Sequence, residues 1–235
     1  MSALDPVIQG KIRELKQENL GYRAIAKRVE VPEGAVRYFL EHEPIIEVRK
    51  YATYVWDIET TDFKADIGSL MVSSFLDLST GLTDSRTIHS FGGSFREREK
   101  QLALWSTAKL AEADVLIGHN IKAFDRNFLS GVCARHNLPQ PPKRTYIDTM
   151  LIARYGLKGK IGASMANLAD VLDIRDAEGN HVDKDKPSKN DWREYIAGDR
   201  DAVARITERC EADVYVNALL WDRLREYWYS WRGER

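Results

Sequence analysis

The sequence predicts an α/β protein: a mixed sheet flanked by helices, preceded by a small all-α domain. Three observations predict it. From residue 51, three stretches rich in β-formers follow one another, and then helix-like and strand-like stretches alternate, the order of a sheet covered by helices. Up to residue 45 only helix-like periodicity occurs. Between the two, Glu43-Pro44 and the charged run Glu47-Val48-Arg49-Lys50 read as a linker, since a proline ends the helix before it. Domains are therefore expected over 1–45 and 46–235.

The elements follow in order. Helices are expected over 6–19, with Val7, Ile8, Ile12 and Leu15 on one stripe, over 22–29 with Ile25, Ala26 and Val29, and over 35–43 with Val36, Phe39 and Leu40 inward. Leu20-Gly21 breaks the first pair, and Val31-Pro32-Glu33-Gly34 reads as a turn. Strands are expected over 51–58, 69–76 and 86–91, with Gly81 and Asp84 in turns. A helix over 95–113 would bury Leu102, Leu104, Trp105 and Leu110. A short buried strand over 114–118 comes next, then a helix over 125–136 stopped by Asn137 and Pro139. Residues 146–155 and 164–172 read as helical, 175–190 as a mobile charged loop, and 199–229 as a long terminal helix. On that last helix Trp221, Leu224 and Trp228 fall at helical spacing and are expected to pack on the N-terminal helices, with base stacking by the interleaved aromatics and arginines, or self-association, as the alternatives.

Composition excludes several classes. The 235 residues suffice to bury a core. With 43% hydrophobic and 30% charged residues, wholesale disorder is not expected. No apolar run reaches the roughly 18–20 residues of a membrane helix, and no secretory leader opens the chain. Cys133 and Cys210 are the two cysteines, far apart and in no CxxC spacing, which argues against a disulfide framework or a Cys-rich zinc site. The expected compartment is a reducing cytoplasm, that of a host if the chain is viral. A net charge of −1 gives no global pull toward a polyanion, so such a site must come from local clusters or bound metal.

Segment 21–40, GYRAIAKRVEVPEGAVRYFL, resembles the helix-turn-helix of small DNA-binding domains. That resemblance implies DNA docking through Arg23, Lys27, Arg28 and Arg37. A bland alternative is a three-helix packing cap, because Glu33, Glu41 and Glu43 on the third helix make a poor face for phosphates.

Three clusters carry candidate chemistry. In the first strand Asp57 and Glu59 are two apart, so both carboxylates point to one face among Val55, Trp56 and Ile58. Two like charges at the end of a half-buried strand repel, and a hard divalent cation offsets that. Next, Gly118-His119-Asn120-Ile121-Lys122-Ala123-Phe124-Asp125 follows the short buried strand and opens a helix, where open α/β sheets place ligands. Asp125 has an N-cap role as its simpler reading. In the terminal helix, Asp213 borders the apolar stripe Val203, Ile206, Cys210, Val214, Leu220 and Leu224.

D-x-E, then N-x3-F-D, then C-x-x-D-V, in that order, resemble the DEDD 3′–5′ exonucleases of the ribonuclease H-like superfamily. Tyr146-Ile147-Asp148-Thr149 and Gly162 to Ala169 are similar to further stretches of these enzymes. The resemblance covers roughly residues 51–225. It implies a ribonuclease H-like mixed sheet and four metal-binding acids, Asp57, Glu59, Asp125 and Asp213. It implies two ions, Mg²⁺ or Mn²⁺, with Asp57 bridging, Glu59 and Asp213 completing one site and Asp125 holding the other through water. It also implies that Thr60 and Thr61 approach the terminal nucleotide and that Asn120 and Phe124 line its cleft. The family's water-positioning Tyr or His, four or five residues before the last Asp, is here replaced by Arg209 and Glu208. Neither matches the family's residue; Arg209 is a candidate to hold a phosphate and Glu208 to accept a proton. Lys122, Arg126, Lys143 and Arg144 are candidates to guide a strand.

The expected function is metal-dependent 3′–5′ exonuclease action on nucleic acid, DNA before RNA, in replication or repair. Two alternatives use the same residues: a structure-specific endonuclease or RNase, and a non-catalytic nucleic-acid-binding protein with a degenerate site. No membrane partner is expected, and the oligomeric state is left open.

Overall fold

The computed structural model describes residues 6–18, 20–42, 51–158, 160–175 and 187–233. The chain divides into two compact units, Met1–Lys50 and Tyr51–Arg235. The predicted linker and the 45/46 boundary lie outside the described residues.

The first unit holds α1 (Pro6–Gln17), α2 (Tyr22–Val29) and α3 (Glu33–His42). Ile12, Leu15, Ile25, Ala26 and Val36 form its buried core. Glu30 ends α2 in the left-handed conformation, φ 56°, its N–H bonding Ala26 O. The third helix starts at Glu33 rather than Ala35, because Pro32 O already accepts the N–H groups of Ala35 and Val36.

The second unit is built on β1 (Thr53–Thr60), β2 (Leu70–Asp77), β3 (Thr83–Thr87), β4 (Val115–Gly118) and β5 (Thr145–Asp148). Their order is β3-β2-β1-β4-β5. β1 pairs antiparallel with β2, and β2 antiparallel with β3. β4 runs parallel to both β1 and β5. The chain thus goes to one side of β1 and returns on the other, the switch point at which open α/β sheets place ligands, at the carboxyl ends of β1 and β4. Helices α4 (Phe95–Glu112) and α5 (Asp125–Arg135) cluster with Trp56, Ile58 and Leu116. Val55, Ile117 and Ile147 cluster instead with α7 (Met165–Val171) and α9 (Arg200–Gly233). Among the described residues no helix is long and apolar enough to cross a membrane.

Several expectations are corrected. The third strand lies at Thr83–Thr87, not 86–91: the Thr87 hydroxyl accepts His89 N–H and Ser90 Oγ accepts Thr87 N–H, which closes a 3-10 turn over Ile88–Ser90. Asp84, expected in a turn, pairs with Phe75. Residues 146–155 are not one helix. They begin in β5, pass through α6 (Thr149–Leu151), and wind into a π-turn over Ile152–Gly156. Tyr146 and Ile147 serve different clusters, and four residues are too few to show a period of two. Most of the predicted 175–190 loop lies outside the described residues. Its end is the Ser188/Asp191 capping box that opens α8 (Lys189–Ala197). Leu104 is exposed, since it faces away from the sheet on α4. Leu224 and Trp228, expected to pack outside this unit, belong to the second unit's own buried core with Ile152 and Leu168.

Candidate active site

Asp57 and Glu59 share the β1 face that α9 covers. A bulge falls between Glu59, paired with Val72, and Thr60, paired with Leu70. Bulges bend a strand and re-aim its side chains. From α9, Asp213 reaches the same point, and ligand oxygens of Asp57, Glu59 and Asp213 all lie within 4.8 Å of one another. The Cys210 thiol, one turn from Val214, meets Asp57 O at 3.6 Å and Asp57 Oδ2 at 3.7 Å. Burial, with Asp57 and Glu59 beside it, holds that thiol well above its usual range, so it stays a neutral spacer between helix and strand.

Arg209 belongs to this group. Its Nε donates to Glu59 Oε1 at 2.9 Å, and its Nη2 stands 3.7 Å from Asp213 Oδ2. That guanidinium reaches two of the three carboxylates. Glu208, 100° further round the helix, is exposed and is not brought into the group.

Asp125 opens α5 and is 2% exposed. Its Oδ1 accepts Ile58 N–H at 3.2 Å, which seats it against the backbone between Asp57 and Glu59. It lies outside the three-carboxylate group. Burial pushes its carboxyl up to about 7 against the N–H groups it accepts, and Asp148 and Glu59 add repulsion.

The loop that presents Asp125 is held by a residue that sequence reading gave no role. Asp148, 1% exposed, accepts Asn120 N–H at 3.0 Å and Lys122 N–H at 3.2 Å, and also caps α6. Asn120 holds the turn in the left-handed conformation at φ 64°. Gly118 is required by close approach: a Cβ there would stand 2.6 Å from Ile121 Cβ. The register Gly118↔Asp148 brings the clamp to the loop, and no local spacing signals that pairing.

Phe124 is half-buried and meets Phe63 edge-on, ring centroids 6.0 Å apart. Thr60 and Thr61 sit at the end of β1, where Thr61 Oγ1 accepts Ser69 N–H at 2.9 Å. Lys143 and Arg144 precede β5, at the end opposite the acids, and Arg144 binds Leu110 O and Ala111 O at the close of α4. They are therefore removed from the set of strand-guiding candidates. Lys122 lies 5.9 Å from the Trp228 ring and Arg126 5.4 Å from the Tyr146 ring. Arg23, Lys27, Arg28 and Arg37 are exposed and belong to the first unit.

The donor set is all oxygen, which suits Mg²⁺ or Mn²⁺ rather than softer metals. The strand order, with acids gathered at the end of the central strand, defines a ribonuclease H-like nuclease fold whose acids fit a divalent cation. The chain belongs to the RNase H superfamily, whose pattern matches residues 54–225. No curated protein matches it. Among solved structures, the family B DNA polymerase of the hyperthermophilic archaeon Pyrobaculum calidifontis resembles it with a TM-score of 0.56 and 13% identity. The likeness covers 74% of this chain and 24% of that one, so this chain spans about a quarter of the polymerase's length. At that identity the likeness is one of fold.

Proposed function

We propose that the chain is a DEDD-type 3′–5′ exonuclease that hydrolyses phosphodiester bonds of nucleic acid, DNA in preference to RNA, in replication or repair. The observation that carries this reading is the meeting of Asp57, Glu59 and Asp213 within 4.8 Å at the carboxyl end of the central strand. These three would hold one divalent cation, and Asp125 a second through water. Bound there, the cations supply an activated water and charge stabilisation at the leaving oxygen.

The chain's own residues position the substrate. Thr60 and Thr61, at the bulged end of β1, line the approach of the terminal nucleotide. Asn120 and Phe124 wall the cleft, and Asp148 holds their loop rigid against β5. Arg209, on Glu59 in the free protein, turns to a phosphate oxygen when the strand enters. Positioning and charge complementarity then supply the rate. The first unit docks the duplex through Arg23, Lys27, Arg28 and Arg37 as a helix-turn-helix.

The test is digestion of a 5′-labelled strand, as DNA and as RNA, with Mn²⁺ or Mg²⁺, beside Asp57→Asn. A ladder shortening from the 3′ end is expected, reduced on the order of 10³-fold in the variant. Internal cuts would replace the exonuclease reading with an endonuclease. An intact strand with both metals, or undiminished cutting by Asp57→Asn, would overturn the active site as drawn.

A further inference from the structure

The loop over 61–69 leaves the central strand directly after the acids, since Glu59 is followed by Thr60 at the end of β1 and then by Thr61. Its neck is tied. Thr61 N–H donates to Ser69 O at 3.1 Å, and Ser69 N–H donates to Thr61 Oγ1 at 2.9 Å. Within it, Gly68 N–H donates to Lys64 O at 2.7 Å. Two of its apolar side chains nevertheless stand in water: Phe63 is 87% exposed and Ile67 70%.

Three supports hold this loop from outside. Glu99 on α4 is buried and accepts Leu70 N–H at 3.0 Å, and Leu70 is the β2 partner of Thr60 just past the bulge. Arg135 on α5 donates through Nη1 to Ala65 O and, at 2.8 Å, to Gly68 O, while its Nη2 donates to Glu99 Oε1. His136 Nε2 meets the other Glu99 oxygen at 2.7 Å. The third support is steric. A Cβ on Gly131 of α5 would stand 2.6 Å from Ala65 Cβ, closer than two carbons approach, so helix and loop are in direct contact there.

Helix α5 joins this loop to the acids. Asp125 is its first residue and Arg135 its last, a separation of about 15 Å along a helix of that length. One rod therefore fixes the place of Asp125 at one end and of the loop at the other. Binding residues commonly sit on loops that a rigid scaffold positions.

We propose that Glu99, Arg135 and Gly131 are positioning residues for substrate binding. From α4 and from the far part of α5 they hold loop 61–69 in the shape that receives the nucleotide chain beside the acids. They act on strand affinity through the loop, without touching the strand or a metal. The buried charges serve this geometry rather than stability, since apolar side chains of similar volume would stabilise a core as well. The assignment rests on the exonuclease reading above.

Gly131→Ala tests it without disturbing the charged groups. The added methyl meets Ala65 Cβ and nothing else within 4 Å. The helix gains propensity where the loop loses its seat, so the unfolding midpoint is expected to change little. Strand affinity is read on the full chain by fluorescence anisotropy of a short 5′-fluorescein DNA strand with Ca²⁺. KM and kcat are read by digestion of the same strand with Mn²⁺. Gly131→Ala is expected to weaken binding and raise KM about tenfold at unchanged kcat, the pattern of lost uniform binding. Adding Ala65→Gly removes the clash and is expected to bring KM back to within about threefold of the parent. Arg135→Lys keeps a charge beside Glu99, but one ammonium cannot serve the carboxylate and both loop carbonyls, so a rise in KM of about tenfold is expected again. Calorimetric Mn²⁺ affinity should equal the parent's in all three variants. Parental KM and strand affinity in Gly131→Ala and Arg135→Lys, a loss that Ala65→Gly does not rescue, or a loss expressed in kcat or Mn²⁺ binding would each overturn the proposal. A parent chain that binds the strand and leaves it uncut would instead overturn the exonuclease reading, with anisotropy still reporting on the loop, so the two failures are distinct.

Discussion

Two carboxylate clusters in the second unit are settled in opposite ways. Glu99 on α4 is buried, and both of its oxygens are matched. Oε1 accepts Leu70 N–H at 3.0 Å and the Arg135 guanidinium, and Oε2 meets His136 Nε2 at 2.7 Å. Arg135 also binds Ala65 O and Gly68 O, so this cluster pins the loop after β1 to α5. The Asp57, Glu59 and Asp213 cluster gathers three acids around one arginine and lies partly open. Proximity of acids is common to both. What differs is whether the chain itself supplies the opposing charge. Where the acid is matched atom by atom, the cluster is a brace; where three carboxylates converge, with Arg209 at two of them, their oxygens are arranged to take a cation.

The largest effect that would sharpen this contrast is on stability. Removing the acid of a matched buried cluster strands its partners, so Glu99→Ala is expected to cost about 3–5 kcal/mol in urea unfolding, with Mn²⁺ affinity unchanged. Asp57→Asn should do the reverse: lose the Mn²⁺ heat and keep its unfolding midpoint. A large stability loss in Asp57→Asn would break the comparison, since that acid would then also be a brace.

A smaller effect is expected from Asp125. Its folded carboxyl is pushed up to about 7 by burial, against about 3.9 unfolded. Between those values the folded state holds the extra proton, so stability falls as pH rises from about 4 to about 7. In chelator-treated protein, Asp125→Asn is expected to be more stable than the parent at pH 8, on the order of 2–4 kcal/mol. The gain should vanish near pH 4. Equal denaturation midpoints at pH 8 would show that Asp125 is already compensated without metal.

The frame of the site was legible in the sequence, and its supports were not. Asp57 and Glu59 share a face by the period of a strand, and Asp213 borders a helical stripe, so local spacing reveals each. Asp148 gains its role only from the parallel register of β4 with β5. Parallel strands are joined by long crossovers, so their register leaves no mark in local spacing. The same cause hid β5, where Tyr146-Ile147 reads equally well as part of a helix. The Glu99, Arg135 and His136 brace joins residues 36 and 37 positions apart, and no motif links them. The helix expected over 95–113 spans Phe95–Glu112, and nothing in its apolar spacing marks Glu99 as buried.

The smallest effect tests the positive charge that Arg209 brings to the open cluster. Arg209 bonds Glu59 and stands near Asp213 with its side chain largely covered, so in the free chain it occupies the ground a cation would share. If it partly neutralises the acids in that state, metal entry must displace it. Arg209→Met keeps the aliphatic stem and removes the charge. Calorimetric Mn²⁺ affinity is then expected to rise about tenfold, equivalent to about 1.4 kcal/mol. The metal-free variant should be slightly less stable than the parent, because Glu59 and Asp213 have lost their guanidinium. Weaker Mn²⁺ binding would reverse the assignment: Arg209 would be the group that holds Glu59 in place for the metal, and the open cluster would resemble the Glu99 brace more closely than its geometry implies.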